Sequence, residues 1–422
     1  MKVLHINSYD IHGGAANAVY RINKALNFCG VDSKVLVKKK FSTNKTIYSI
    51  RRVKFNNVRT TCREIYEQIY LRPYKRKKNV IFSIAKAGMN IIDEDILKEA
   101  DIIHLHWIND GMISLKQLKK LSALKKPIVW TLHDMWPFTG GCHYSGNCNK
   151  YKNLCGQCNI LGSYKEKDLS TEIFNEKKKI FNDMNLEVVC CSNWLASCAK
   201  ESKVFENKNI TVIPNCIDEN LYKPIDKQIA KKILNLDINK KYILFGADNS
   251  TSDVRKGYKY LIKGLEILSQ SELSKDVELI VFGGEKGEEI MPFPTRFLGI
   301  LNDDISLNIV YSAADIFVAP SLEDNLPNTI MESLFSGTPV VAFNIGGIPD
   351  MIKHKFNGYL AEEKNSTDLC RGIQYILSNK DDYEKIRSNC RSFVVENFNE
   401  EKIANEYEKI YKKLLVKDFK IK

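Results

Sequence analysis

The sequence predicts an α/β protein built from two parallel β-sheets. Short apolar runs of the kind that form buried strands alternate with longer polar or amphipathic stretches. In the first half these runs cover residues 3–6, 35–37, 102–106, 128–132 and 188–190. In the second half they cover residues 210–213, 242–245, 279–282, 316–319 and 340–342. Strands that alternate with helices form βαβ units, so two such sets indicate two Rossmann-like domains with a cleft between them.

The two sets of strands also predict where the chain divides. We expect an N-terminal domain over residues 1–205, a C-terminal domain over 206–397, and a hinge in the polar segment 201–209. A length of 422 residues agrees with two or three domains of about 150 residues each. Residues 398–422 are predicted to form an amphipathic helix that packs on another element. Its apolar side chains recur at helical spacing: Ile403, Tyr407, Ile410, Tyr411 and Leu414.

Composition indicates the compartment but not the function. The first residues contain no signal-peptide core, and no window approaches the roughly 18 uncharged apolar residues of a membrane-spanning helix. Twelve cysteines without a signal peptide indicate a reducing, cytoplasmic environment. The net charge of +12 is compatible with nucleic acid, an anionic membrane surface or phosphorylated ligands as partners.

The most informative segment is the corner between residues 316 and 350. A buried strand ends at Pro320, an acidic loop follows, and a helix is predicted to begin near Thr329. Asp324 and Glu332 lie eight positions apart across this corner. Ligands of open α/β sheets bind outside the carboxyl ends of strands, and carboxylates there accept hydrogen bonds from sugar or ribose hydroxyls. The alternative is that Asp324 only caps the following turn.

This segment resembles the signature of GT4-family retaining glycosyltransferases, which have the GT-B fold. The family carries two Glu residues in a Pro-Ser…Glu…Glu…Gly-Thr-Pro frame, and Glu332 takes the second position. The first is held by Asp324, one methylene shorter, with Glu323 beside it. The resemblance implies that Glu332 holds the ribose hydroxyls, Asp324 contacts the donor sugar, and the loop amides of Asn325 and Leu326 stabilise the leaving diphosphate. It also implies that the last helix packs back on the N-terminal domain.

A phosphate clamp is predicted after the strand that ends at Gly246. The family usually has Gly-Arg and then Lys-Gly at this place, and both cations grip the diphosphate. Lys256 fits the second position, whereas Ala247 follows Gly246, so Arg255 is the candidate to replace the missing arginine. The alternative for Lys256 is an ordinary solvated surface charge.

Two further backbone segments are expected to contact the donor. The turn Gly299–Ile300 resembles the one that holds the nucleotide base. Gly13 and Gly14 follow the first strand and open a helix from about residue 16, where exposed amides form an anion site. In the family this loop faces the donor diphosphate and the acceptor, although a Gly-Gly pair alone is more often a simple turn.

Histidines end two of the predicted strands. His133 closes the run 128–132 in a Thr-x-His-Asp sequence. In the family, a histidine of this kind contacts the donor sugar, so His133 is the predicted catalytic imidazole together with Asp324 and Lys256. His104 and His106 share one face of the preceding strand. Because no third ligand follows at useful spacing, we expect a polar strand end near the cleft rather than a metal site.

A cysteine cluster follows His133 in the sequence. Cys142, Cys148, Cys155 and Cys158 lie within seventeen residues and suit tetrahedral zinc in a structural role, with His143 as a possible substitute ligand. Free thiols are the alternative, and a disulfide is disfavoured in the cytosol. Catalysis itself is expected to need no metal or other cofactor, because lysine and loop amides neutralise the diphosphate.

Basic residues concentrate between residues 51 and 78, interleaved with aliphatic and aromatic side chains. Such a segment favours the anionic inner face of a membrane. A solvated basic face and nucleic-acid binding are the alternatives, but no nucleic-acid-binding motif accompanies the charge. The cations are Arg51, Arg52, Lys54, Arg59, Arg63, Arg72, Lys75, Arg76, Lys77 and Lys78.

Together these features predict transfer of a sugar from a UDP- or GDP-sugar to a saccharide acceptor linked to polyprenyl diphosphate, in cell-surface polysaccharide synthesis. A nucleotide-sugar epimerase of similar architecture is the first alternative, and it would need neither an acceptor nor a membrane surface. A nucleic-acid-binding protein is the second, and it would leave the pair Asp324 and Glu332 unexplained.

Overall fold

A computed structural model describes residues 1–50, 65–77, 80–246, 253–284, 291–301 and 303–419. The chain divides into two compact units, Met1–Pro214 with Glu401–Lys422 and Asn215–Glu400. Both are parallel α/β sheets of the Rossmann type, as the sequence predicts. Within the described residues, no helix is long and apolar enough to cross a membrane.

The first unit contains a parallel sheet of seven described strands in the order β3-β2-β1-β4-β5-β6-β7. Its central strands are buried on both faces, which explains their continuous apolar sequences. The strands are β1 (Lys2–Tyr9), β2 (Asp32–Lys39), β3 (Ile47–Ser49), β4 (Ile102–Leu105), β5 (Ile128–Leu132), β6 (Leu186–Cys190) and β7 (Asn209–Val212). The helices are α1 (Gly14–Phe28), α2 (Asp95–Glu99), α3 (Leu115–Ala123), α4 (Leu169–Asn182) and α5 (Asn193–Glu201).

The division lies later in the chain than residues 205/206. We assigned the run 210–213 to the second set of strands, but β7 pairs with β6 as the last strand of the first sheet. The Glu187 carboxylate accepts hydrogen bonds from the Asn209 amide at 3.3 Å and the Thr211 hydroxyl at 3.4 Å. The polar segment before β7 is therefore a connection within the first unit, and the second unit begins at Asn215.

The second unit contains a parallel sheet of six described strands in the order β10-β9-β8-β11-β12-β13. Its strands are β8 (Lys241–Gly246), β9 (Val277–Phe282), β10 (Thr295–Phe297), β11 (Ile316–Ala319), β12 (Val340–Phe343) and β13 (Gly358–Ala361). Its helices are α6 (Lys227–Ile233), α7 (Tyr258–Ser269), α8 (Asp304–Ala313), α9 (Asn328–Phe335), α10 (Ile348–Met351), α11 (Ser366–Ser378) and α12 (Lys380–Phe398). We did not predict β3, β10 and β13, which are short strands at sheet edges.

The last helix, α13 (Glu400–Phe419), belongs to the first unit although it follows the second in sequence. Its buried Tyr411 hydroxyl lies 2.7 Å from Nδ1 of His104 on β4. The Tyr407 hydroxyl lies 2.9 Å from the Thr131 hydroxyl on β5. The amphipathic tail therefore covers one face of the first sheet, as predicted.

Candidate functional site

Lys256 and Asp324 form an ion pair at the carboxyl ends of two neighbouring strands in the second unit. Lys256 ends a short 3-10 helix after β8, and Asp324 lies in the loop after β11. The ammonium nitrogen lies 2.8 Å from Oδ2 of Asp324, and both side chains are mostly buried. Lys256 is therefore a paired cation at the sheet edge where ligands of this fold bind, rather than an isolated surface charge.

Two glycines allow the loops around this ion pair to approach one another. Gly257 has φ of +70°, and a Cβ there would lie 1.8 Å from the carbonyl oxygen of Pro320. Gly346 has φ of +54°, and a Cβ there would lie 2.0 Å from the carbonyl oxygen of Asp324. A side chain at either glycine would push the neighbouring loop away. The two glycines therefore allow the loops after β8, β11 and β12 to pack closely.

The two predicted carboxylates have different surroundings. Oδ1 of Asp324 accepts a hydrogen bond from the Asn325 amide at 3.0 Å, so Asp324 caps its own loop as well as pairing with Lys256. Glu332 is buried on α9, and its carboxylate accepts a hydrogen bond from the Tyr311 hydroxyl at 3.2 Å. The Asn325 amide, which we expected to contact a diphosphate, therefore donates to Asp324 in this structure. Tyr311 is a partner that the sequence did not reveal.

Arg255 forms an ion pair with a neighbouring carboxylate, and its contact with a diphosphate remains a prediction. Its guanidinium pairs with Asp253 at 2.6 Å, two positions earlier in the chain. Residues 247–252, where the family carries its arginine, lie outside the described part of the chain. Gly246 is needed for packing, since a Cβ there would lie 2.3 Å from the ring of Phe282.

The turn expected to hold the base follows β10. The carbonyl of Gly299 accepts a hydrogen bond from the Gly283 amide at 2.7 Å, which joins this turn to the end of β9. Ile300 is 75% exposed and presents an aliphatic side chain beside these strand ends. Leu326, by contrast, is buried.

In the first unit, the Gly13–Gly14 loop connects β1 to α1. Gly13 is the N-cap of α1, and no side chain caps this helix. A Cβ on Gly13 would meet no atom within 4 Å, so the space beside the helix N-terminus is open. An anion at this helix N-terminus remains a prediction.

His133 is the partly exposed end of a chain of imidazoles. Its Nε2 lies 3.1 Å from Nδ1 of His106, whose Nε2 lies 2.9 Å from Nδ1 of His5. Nδ1 of His133 lies 3.8 Å from Sγ of Cys191. Burial lowers the pKa of His133 to about 4 and that of His5 to about 3, so these rings are neutral near pH 7.

The structure corrects our interpretation of His104 and His106. His5, His104 and His106 bring ring nitrogens within 4.8 Å of one another, although we expected no third ligand at useful spacing. His5 lies opposite His104 in the β1–β4 register. His104 is fully buried between Tyr411 and Thr131, so it is an internal residue and not a polar strand end at a surface.

Asp134, next to His133, organises a second buried network. Its carboxylate accepts hydrogen bonds from the indole of Trp107 at 3.0 Å and from Nδ1 of His143 at 2.6 Å. Burial alone would raise the pKa of Asp134, but its partners, chiefly His143, hold that pKa below its usual value. His143 is therefore a partner of Asp134, and Ser83 lies 2.9 Å from its other nitrogen.

The four clustered cysteines show the donor chemistry of a zinc site but not its geometry. Among the described residues, they do not bring three ligand atoms within 4.8 Å of one another. Burial raises the pKa of Cys142 and of Cys155 to about 12, which keeps both thiols neutral. Buried Lys177 crosses this region and donates hydrogen bonds to the carbonyls of Trp136 and Thr139. Structural zinc remains a prediction.

The described part of the basic segment is helical over residues 65–71 and irregular to residue 77. We expected its apolar side chains to lie beside the cations, but Leu71 is buried and the Tyr74 hydroxyl accepts a hydrogen bond from the Leu169 amide. The exposed apolar residues are Ile65, Tyr66 and Ile69. The exposed cations are Arg72, Lys75, Arg76 and Lys77. The predicted cations at positions 51–63 and 78 lie outside the described residues.

Two Rossmann-like sheets with charged and polar side chains at their strand ends are typical of enzymes that bind phosphorylated or hydroxyl-rich ligands. Two family models match this chain: Glycosyltransferase Family 4 over residues 12–221 and Glycosyl transferases group 1 over residues 240–379. Together they cover most of its length. The chain is a GT4-like glycosyltransferase with the GT-B fold.

Similar proteins agree with this class. An uncharacterised glycosyltransferase of Methanocaldococcus jannaschii is 29% identical over 345 residues, which is 76% of this chain and 85% of that protein. The UDP-Gal:alpha-D-GlcNAc-diphosphoundecaprenol alpha-1,3-galactosyltransferase of Escherichia coli is 27% identical over 52% of this chain and 58% of its own length. Anabaena HepE, solved with UDP-glucose, has a TM-score of 0.64 and 16% identity over 98% of this chain and 100% of that chain.

Proposed function

We propose that this enzyme transfers a sugar from a nucleotide-sugar donor to a lipid-linked saccharide, with retention of the anomeric configuration, in cell-surface polysaccharide synthesis. The observation that carries the proposal is the ion pair of Lys256 and Asp324 at the strand ends of the second unit. The UDP-glucose of the Anabaena structure and the diphosphoundecaprenol substrate in the Escherichia coli enzyme's name support this choice of donor and acceptor.

Lys256 has the chemistry that a departing nucleoside diphosphate requires. Its ammonium carries three N–H donors, and Asp324 accepts from one of them. A diphosphate that binds here adds negative charge beside the ammonium and competes with Asp324 for its hydrogen bonds. The positive charge then stabilises the negative charge that develops as the glycosidic bond to phosphate breaks. This step uses a protein cation and requires no divalent ion.

The carboxylates of Glu332 and Asp324 and the imidazole of His133 would form hydrogen bonds with the hydroxyl groups of the donor. Glu332 is oriented by Tyr311 and is suited to accept hydrogen bonds from the ribose. Asp324 would accept from the donor sugar. His133 is neutral, so it would hydrogen-bond a sugar hydroxyl without contributing charge. Retention follows if the acceptor hydroxyl attacks the anomeric carbon from the face that the diphosphate leaves.

The surface of the first unit suits an anionic lipid. A groove of about 500 Å³ is lined by Gln68, Leu71, Arg72, Tyr74, Arg76, Lys77 and Val80. Exposed Ile65 and Ile69 lie on the adjoining helical stretch. Cations beside exposed apolar side chains bind anionic membranes, at roughly 1 kcal/mol for each Lys or Arg near the surface. We therefore infer a peripheral enzyme at the cytoplasmic face of the membrane.

A donor screen tests the transferase assignment. Protection against thermal unfolding is measured with UDP-, GDP- and dTDP-sugars, followed by NMR of the product to establish its anomeric configuration. Lys256→Gln should abolish protection by the cognate donor, while Lys263→Gln, an exposed lysine on α7, should leave it unchanged. Release of an isomerised sugar nucleotide without any acceptor would identify an epimerase instead.

Co-sedimentation with liposomes tests the membrane surface separately. Wild-type protein should sediment with anionic vesicles at low salt and be released as salt is raised. The triple variant Lys75→Glu, Arg76→Glu, Lys77→Glu should remain in the supernatant. The matched control is Lys116→Glu, Lys119→Glu, Lys120→Glu, which makes the same charge change on α3. Equal recovery of wild type with neutral and anionic vesicles would exclude the membrane role but not the transferase.

A further inference from the structure

Three imidazoles form a hydrogen-bonded row across the first sheet. His5 lies on β1, His106 follows β4, and His133 follows β5. His5 and His106 are joined at 2.9 Å, and His106 and His133 at 3.1 Å. The row therefore runs from the interior of the sheet to the residue that the proposed function places against the donor sugar.

Burial restricts the protons that these rings carry. His5 is fully buried and His106 is 2% exposed, so their ring nitrogens need partners within the protein. Each neutral imidazole has one N–H and one acceptor nitrogen. Because His106 supplies only one proton, the two hydrogen bonds must run in the same direction along the row. Only two arrangements satisfy both bonds.

In the first arrangement, Nδ1–H of His5 donates to His106, and Nδ1–H of His106 donates to Nε2 of His133. The proton of His133 is then on Nδ1. In the second arrangement every donor is reversed, and His133 carries its proton on Nε2. The second arrangement also requires a proton on Nε2 of His5.

The far end of the row distinguishes these two arrangements. Nε2 of His5 has no hydrogen-bond partner among the described residues. The first arrangement leaves a lone pair unused there, whereas the second leaves a buried N–H without an acceptor. An orphaned buried N–H is the rarer and more costly defect. We propose that His106, which accepts a hydrogen bond from His5, holds His133 as the Nδ1–H tautomer, so that His133 presents a hydrogen-bond donor at Nδ1.

Cys191 lies beside this donor in the first unit. Nδ1 of His133 lies 3.8 Å from Sγ of Cys191, and a thiol sulfur is a poor acceptor. A sugar hydroxyl oxygen is a better acceptor for the same N–H. His106 is therefore a positioning residue in direct contact with His133, and it accepts a hydrogen bond from His5. Only the role of His133 toward sugar rests on the proposed function.

A metal ion among His5, His104 and His106 would require a different geometry. The rings of His104 and His106 lie 4.1 Å apart with 30° between their planes, and those of His5 and His104 lie 4.6 Å apart. The planes of these rings are tilted by only 30° and 37°, so their nitrogens lie along similar planes rather than directed toward one point. Both nitrogens of His104 already contact hydroxyl groups, so His104 has no unoccupied nitrogen to offer a metal ion.

Long-range ¹H–¹⁵N correlation spectra of histidine-labelled, full-length, ligand-free protein test the proposal. The chain has seven histidines, so a single-residue variant can assign each ring. We expect His133 as the Nδ1–H tautomer in the wild type. His106→Phe keeps the stacked ring but removes its nitrogens, so His133, which is partly exposed, should move toward the Nε2–H tautomer. His5→Phe makes Nε2 of His106 the buried end of the row, and because a lone pair there costs less than a buried N–H, His133 should remain the Nδ1–H tautomer. His354→Phe, an exposed position in the second unit, is the matched control.

Kinetics with the cognate donor provide a second measurement. In His106→Phe, kcat should fall about tenfold, which corresponds to one lost transition-state contact, while KM for the donor stays within about twofold. Circular dichroism confirms that each variant is folded. A wild-type His133 protonated on Nε2, or an unchanged tautomer in folded His106→Phe, would overturn the proposal. So would a metal ion bound to wild type and lost in His5→Phe. If no donor protects the protein while the tautomer is as stated, the proposed function fails and the assignment of the His133 tautomer stands.

Discussion

The hydroxyl of Tyr411 lies 2.7 Å from Nδ1 of His104, and the two residues are 307 positions apart in the chain. This contact joins the last helix to the centre of the first sheet. With the adjacent pair of Tyr407 and Thr131, it shows why α13 belongs to the first unit. The helix satisfies polar groups that the buried strands β4 and β5 could not satisfy alone.

Tyr411→Phe should destabilise the first unit by about 1–3 kcal/mol, because it leaves a buried ring nitrogen of His104 without its partner. Urea unfolding measures this change. Tyr164→Phe removes a hydroxyl from a residue that is 94% exposed and should change stability by less than about 0.5 kcal/mol. Equal stability of Tyr411→Phe and wild type would show that this hydrogen bond makes no net contribution.

The free energy of unfolding should fall as pH is lowered from about 6.5 toward 4. The imidazoles of His5, His104, His106 and His133 have folded-state pKa values lowered by burial, to about 3 for His5 and about 4 for His133. In the unfolded chain they titrate near 6.5, so the unfolded state binds more protons in this window. Above about pH 7 these groups contribute no pH dependence.

Urea midpoints measured at pH 7.5, 6.0 and 5.0 check this expectation. Each histidine contributes at most about 1.4 kcal/mol per pH unit. His5→Phe should flatten the dependence, and His354→Phe, which replaces an exposed histidine, should preserve it. A midpoint that is constant between pH 7.5 and 5.0 would contradict the neutral, buried state of these rings.

His133→Ala and Glu332→Ala should each lower sugar transfer at least about tenfold, since one lost transition-state contact of ~1.4 kcal/mol has that effect. Turnover at saturating donor measures it. His354→Ala is the control for loss of an imidazole outside the site. Wild-type kinetics in both site variants would remove His133 and Glu332 from the active site.

Asp324→Glu should retain most activity, because the family has glutamate at this position and the longer side chain still reaches Lys256. Asp324→Asn should lose activity more strongly, since it removes the charge that holds the ammonium. Donor titrations of both variants provide the comparison. Complete inactivity of Asp324→Glu with an intact fold would point to Glu323 as the acidic residue that contacts the sugar.

Purified protein should contain about one equivalent of bound zinc, and removal of the zinc should lower the stability of the protein. Elemental analysis under reducing conditions measures it, with Cys155→Ser and Cys158→Ser as the test variants and Cys29→Ser as the control. Brief exposure to EDTA should spare transfer, because Lys256 rather than a divalent ion neutralises the diphosphate. Metal-free, stable protein would show that the four thiols serve packing instead.

The sequence alone determined the class of fold and the identity of several residues in the candidate site. Strands such as β5 and β11 were visible because each is buried on both faces and is therefore apolar throughout. The sequence also indicated three charged residues of the site, because they lie at characteristic spacing in or next to the loops that follow predicted strands: Asp324, Glu332 and Lys256. The edge strands β3, β10 and β13 were missed, since their partly exposed residues lack a continuous apolar pattern.

Only the tertiary structure decided which distant residues meet. His5 lies opposite His104 because of the β1–β4 register, and register across a crossover cannot be inferred from spacing within one strand. The same holds for Tyr311 beside Glu332 and for Tyr411 beside His104. Local sequence sets strands and loops through short-range patterns of burial and turn formation. The partners of buried polar groups depend on packing between separate elements, which lie from 21 to 307 positions apart in these pairs, and the fold alone determines that packing.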